Sequence, residues 1–209
     1  TRQVQGFLGL CGRLSPDPAL QWALWGGFQH ASLGGQGLLD ANRYLATLEV
    51  PLAGCKARGG GEIERRRYPI EPALDGRYRG VLASLGCPTR GGQLFLTARH
   101  GTDRPEGIRA GGEQTRSDLG ATLQLPIFGK GRLDMSLNLS RQRDQRAYSV
   151  LLGDIPRRIK RNGIALEYVH EIRPGQEWLM RTEAWAQSSN IDLFRLRNNT
   201  LLAGLRQRF

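Results

Sequence analysis

An antiparallel transmembrane β-barrel is the fold class this sequence predicts, and three observations predict it. Apolar and polar residues alternate with a period of two over segments of about ten residues, the length of a strand that crosses a bilayer. Short turns and longer polar connections take turns along the chain, as they do at the two ends of an outer-membrane barrel. No apolar run approaches the roughly 20 residues of a spanning helix, so any crossing is made by strands. A soluble sandwich also alternates, but its strands average about five or six residues and its connections keep no such rhythm.

Eleven strands follow in order. Segments 3–14 and 19–30 flank the short SPDP (15–18), and ASLGGQGLLDAN then reads as a longer polar connection to 42–52. AGCK (53–56) turns into 57–68, IEPALDG leads on to 77–87, TRGG (89–92) turns into 93–102, and TDRPEGIRAGGEQ runs to 115–127. The clearest pair comes next. Leu119, Ala121, Leu123, Leu125 and Ile127 alternate with Asp118, Gly120, Thr122 and Gln124; after the hairpin signal FGKG (128–131), the eighth segment, 131–143, alternates Leu133, Met135, Leu137 and Leu139 with Asp134, Ser136, Asn138 and Ser140. QRAYSVLLGDIPRR leads to 159–172, RPGQ (173–176) turns into 177–187, and SSNIDLFRL precedes 198–209. No helix longer than a turn or two is expected.

Single-chain bacterial barrels have an even number of strands with both ends periplasmic. With eleven strands, either one more lies in the sequence or residues 1–209 are a single barrel domain forming the C-terminal part of a longer chain with twelve or more. We expect the second, because Thr1 opens directly into strand-like sequence.

Composition agrees with a barrel. Hydrophobic residues make up 39% and charged residues 23% of the chain, unlike a disordered chain or a helical membrane protein. A mean hydropathy of −0.42 fits strands that turn half their residues to a polar lumen. On the outward faces, Ile164, Leu166 and Tyr168 are followed by Trp178, Met180, Thr182, Ala184 and Ala186, then by Leu201, Ala203, Leu205 and Phe209. Gln207 interrupts that last row. Trp178 and Phe209 fall at the short-turn end, where an aromatic belt meets the lipid–water boundary, and Trp22, Tyr44 and Tyr168 extend such belts.

The inward set mixes signs: Arg13, Arg43, Glu49, Arg58, Glu62, Glu64, Arg66, Arg99, Arg116, Asp118, Asp134, Glu167, Arg181, Glu183, Arg206 and Arg208. Cross-strand charge ladders are their expected role, ahead of a lumen that sorts solutes by charge. The net charge of +11 calls for an anionic neighbour. Its densest part follows the eighth strand, with Arg141, Arg143, Arg146, Arg157, Arg158, Lys160 and Arg161. We expect an extracellular basic rim there, set either against outer-membrane lipid and lipopolysaccharide phosphates or as a solvated face. Nucleic acid is not expected, because only Tyr148 offers a ring nearby.

No catalytic residue, cofactor or metal is expected. His30, His100 and His170 lie on separate strands, His30 with Ser32 is too short a cue for a Ser-His site, and FGKG lacks a phosphate loop's spacing. Glu62 and Glu64 share a face without marking an acid–base pair. Cys11, Cys55 and Cys87 match no metal spacing. Cys55 begins the fourth strand and Cys87 ends the fifth, so antiparallel pairing puts both at the periplasmic end, within disulfide range in matching register.

AYSVLLGDIPRR, ALEYVHEI and SSNIDLFRLRNNTLLAGLRQRF, spanning roughly the last 65 residues, resemble the closing strands of outer-membrane proteins of the surface lipoprotein assembly modifier type. The most specific part is Ser189, Asn190, Leu193, Phe194, Asn198, Gly204, Leu205, Arg206, Arg208 and Phe209. In that family a tetratricopeptide-repeat segment precedes a C-terminal barrel; no helical repeat is present here. The resemblance implies residence in the bacterial outer membrane and a translocation pore or scaffold for exported surface lipoprotein. It also implies that Phe209 is the signal read by the barrel-assembly machinery. The alternatives are an exopolysaccharide-secretion or diffusion porin, with polysaccharide as cargo, and a structural anchor of an envelope complex.

Overall fold

The computed structural model describes residues 2–13, 20–127 and 129–207. They form β1 (Arg2–Arg13), β2 (Gln21–Leu33), β3 (Gln36–Leu52), β4 (Cys55–Arg67), β5 (Gly76–Thr89), β6 (Gly92–Pro105), β7 (Gln114–Ile127), β8 (Gly131–Ala147), β9 (Pro156–Arg173), β10 (Gln176–Ser189) and β11 (Leu196–Gln207). All eleven lie in one antiparallel sheet in chain order. The only helical segments among the described residues are single 3-10 turns at Pro72–Leu74, Val150–Leu152 and Asp192–Phe194. β1 and β11 each pair on one side only among the described residues. Arg208 and Phe209, and with them the expected assembly signal, lie outside the described residues.

Turns and loops separate by end. Two-residue turns at 53–54, 90–91 and 174–175 close one end, while loops 68–75, 106–113, 148–155 and 190–195 occupy the other. One connection departs from expectation. ASLGGQGLLDAN is not a long loop: β2 and β3 continue to Leu33 and from Gln36, joined by Gly34 and Gly35 alone. Their φ angles of +58° and +84° are what a two-residue hairpin requires, and glycine adopts them without strain. At the opposite end Cys55 and Cys87 form a disulfide, with Cα atoms 4.3 Å apart, which ties the start of β4 to the end of β5. Cys11 is a free, exposed cysteine.

The register defines two faces. One carries Leu8 and Leu10, Leu24 and Phe28, Leu48 and Val50, Val81 and Leu85, Leu119 and Leu123, Leu137 and Leu139, Ile164 and Leu166, and Leu201 and Leu205. Many of these stay open: Leu8 is 79%, Val81 61%, Leu119 55% and Leu205 77% exposed. The buried strand residues, including Ala41, Thr47, Glu62, Tyr78, Asp103, Gln114, Asp144, Ala165 and Gln187, lie on the other face with the charges. Side chains inside a curved sheet converge and cover one another, so the charged face is the concave one. A water-soluble domain buries its apolar face instead.

Candidate functional site

The concave face is the candidate site, and strand alternation positions it. Arg43, Glu49, Arg58, Glu62, Glu64, Arg99, Arg116, Asp118, Glu167, Arg181, Glu183 and Arg206 all fall on it by register. Two ion-pair groups dominate. In the first, the Glu62 side chain has no exposed surface and accepts from Arg43 at 2.7 Å and from Arg99 across β5. The Arg99 guanidinium lies 4.7 Å from the centre of the Tyr78 ring. Arg66 joins Asp103 and Glu64, Arg109 reaches Asp103 from the β6–β7 loop, and Arg58 donates to Glu49 at 2.6 Å. In the second, Arg181 bridges Glu167 and Glu183, while Arg206 approaches Glu167 and Glu177. Arg132 pairs with Asp134.

Most inward cations are thus neutralised by inward carboxylates, which makes the wall polar with little excess charge. Arg116 and Asp118 make no ion pair among the described residues. Among the same residues, no group of three or more His, Cys, Asp or Glu side chains is placed to hold a metal.

Loops knit the mouth. Asp144, the most completely buried large side chain, accepts from Arg157 at 3.1 Å. The Arg157 guanidinium lies 4.5 Å from the Tyr148 ring centre and 4.6 Å from that of Phe194, and those two rings meet edge to face. Gly111 presses so closely on Asp144 that a Cβ there collides with the carboxylate. Three loops therefore converge on one buried ion pair. At the outer edge Arg65 donates to both oxygens of Glu106 at 2.8 and 2.9 Å. Those hydrogen bonds hold the Glu106 carboxyl below its ordinary value.

The expected basic rim needs correction in two respects. Arg146, Arg157 and Arg158 are strand residues like Arg141 and Arg143, not loop residues, because β8 runs to Ala147 and β9 starts at Pro156. Arg157 is not free for an outside anion, being 12% exposed and paired with Asp144. Arg161 turns inward to Gln187, whereas Arg141, Arg143, Arg158 and Lys160 face outward and stay exposed. Sequence reasoning stopped one step short of Asp103 and Asp144: the two-residue period, continued past the expected strand ends at 102 and 143, reaches both. Nothing in the sequence marks Arg109, whose place depends on how its loop folds back.

At the short-turn end, outward-facing Tyr168 meets Trp178 edge to face at 5.8 Å.

No family model and no curated protein matches this chain. Its fold is similar to the solved structure of the alcaligin outer membrane receptor FauA from Bordetella pertussis, at 12% identity and a TM-score of 0.51. The match covers 97% of this chain and 37% of that one, so the chain spans a little over a third of the receptor's length. The likeness is one of fold: an outer-membrane β-barrel.

Proposed function

We propose that this chain forms the membrane-embedded wall of a bacterial outer-membrane barrel that serves as a translocation pore or scaffold for an exported partner. One observation carries the reading: large apolar side chains stand exposed on one face, while the buried strand residues, Glu62, Asp103 and Asp144 among them, lie on the charged face, the inverse of a water-soluble sheet. Hydrocarbon is the solvent that satisfies such an outward face. Lipid also forbids unpaired sheet edges, so β1 and β11 require further strands to complete the wall. The chain's role is passive and involves no chemical step. Balanced concave charges hold a hydrated passage open and let a polar partner slide without a deep electrostatic trap.

The similarity of the C-terminal 65 residues to the surface lipoprotein assembly modifier type favours a lipoprotein as the partner. Deletion of the gene from its host, with protease shaving of intact cells, tests this. Loss of surface-exposed lipoproteins supports the reading. Intact lipoprotein display with loss of secreted polysaccharide favours an exopolysaccharide porin instead. Loss of neither, with a destabilised envelope complex, favours a structural anchor.

A further inference from the structure

Toward the loop end of β8 and β9 the outward face changes from apolar to cationic. Arg141 stands directly opposite Lys160, and Arg143 opposite Arg158. All four are exposed, and none forms an ion pair among the described residues. Like charges directly opposite one another destabilise a sheet. On the concave face nearly every cation has a carboxylate, so this unneutralised quartet stands apart. Its outward neighbours, Thr115 and Ser117 on β7 and Ser188 on β10, supply no negative charge.

Immediately below lies a groove of about 560 Å³. Val81, Ala83, Ala98, Leu119 and Leu139 give it an apolar floor, and Arg141 and Lys160 close it on the loop side. His100 Nδ1 and Ser117 Oγ, 2.7 Å apart, satisfy each other at its edge. An apolar trough that ends in paired cations is complementary to an acyl chain that ends in a multiply charged anion. A soluble anion leaves the trough empty, and a neutral lipid leaves the cations unpaired.

We propose that this outward surface is a binding site for lipid A, the phosphorylated acyl lipid of the outer leaflet. Its phosphates lie between the Arg141–Lys160 and Arg143–Arg158 pairs, and one acyl chain lies along the groove. Guanidinium groups suit this role because their N–H donors match phosphate oxygens two at a time. The site rests on the outer-membrane reading above, with the loop end facing outward.

The test uses the full-length natural protein, refolded into phosphatidylcholine vesicles and titrated with bis-phosphorylated lipid A. Dephosphorylated lipid A and phosphatidylglycerol serve as competitors. Heat-modifiable electrophoretic mobility reports insertion independently of binding. Wild-type protein is expected to bind lipid A in a salt-sensitive manner, with neither competitor displacing it. R141Q/K160Q and R143Q/R158Q are each expected to insert normally and to weaken binding about tenfold or more. R90Q, in a turn at the opposite end of the sheet, is expected to bind as wild type does. Inserted protein whose glutamine variants bind lipid A as tightly as wild type would overturn the site alone. Displacement by phosphatidylglycerol would overturn the assignment to lipid A. Failure of the wild type to insert would overturn the membrane reading and the site with it.

Discussion

Glu62 is the residue on which the concave face turns. Its side chain is fully covered, whereas Arg43 and Arg99 remain 45% and 31% exposed, so the carboxylate is the shared and irreplaceable partner. Glu62→Gln removes the charge but keeps the volume, and leaves two guanidiniums to find water. Hydrogen bonds to charged groups contribute about 1.5–3 kcal/mol each, softened here by the exposure of both arginines. The expected loss is about 2 kcal/mol, read as a lowered urea midpoint for the vesicle-inserted protein. Arg43→Gln is expected to cost less, because Glu62 keeps Arg99. Glu106 makes a second, pH-dependent prediction. Its folded pKa lies below its unfolded value, so its pairing with Arg65 stabilises the β6–β7 loop above the ordinary carboxylate range. That contribution fades as the pH falls through the depressed folded value. Hydrogen exchange across residues 106–113 is expected to quicken over that acid window, and Arg65→Gln to weaken the pH dependence, with Arg77, 3.5 Å from Glu106, carrying the remainder.

At the level of elements, hairpin connections decide which segments tolerate change. Gly34 and Gly35 join β2 to β3 with positive φ at both positions. Substitution of either by valine is expected to cost about 1–2 kcal/mol, from forcing a β-branched residue into the left-handed region. An epitope inserted between them is expected to break register and reduce barrel yield. The same epitope inserted after Leu152 is expected to be tolerated and antibody-accessible, because loop 148–155 has its own 3-10 turn and length to spare. Aromatic rings laid on glycines form a related device. Tyr78 covers Gly80 and Gly101 on the concave face, while Trp22 covers Gly12 on the outward face. Gly101 and Gly12 each make room for a ring from the adjacent strand, and Gly80 for the Tyr78 ring of its own strand.

For the whole molecule, the two faces must see different solvents, and adjacent residues can test this. Leu137→Arg places a charge mid-strand on the outward face, whereas Ser136→Arg places the same charge one residue away on the concave face. Arginine on the lipid face near the bilayer centre costs about 2–4 kcal/mol, while lumen positions accept charge. Insertion yield into vesicles is expected to fall sharply for L137R and to stay near wild type for S136R. Equal yields would contradict the assignment of faces.

The sequence by itself determined the number of strands, most of their limits to within a few residues, and, among the described residues, the face of the charged ladder residues. A period of two needs only the order of residues to sort them between two solvents. The disulfide partners were also legible, because antiparallel order puts Cys55 and Cys87 at one end. The two-residue turn at Gly34 and Gly35 was hidden by polar neighbours that suggested a loop, since side-chain polarity does not report φ. The tertiary structure alone decided which charges meet. Glu62 joins arginines 19 and 37 residues away, and Arg157 leaves the outer rim to pair with Asp144 beneath two rings. Alternation assigns a side chain to a face. Strand stagger and loop folding then choose its partner, and these are set by hydrogen-bond register across the whole sheet rather than by any local run of residues.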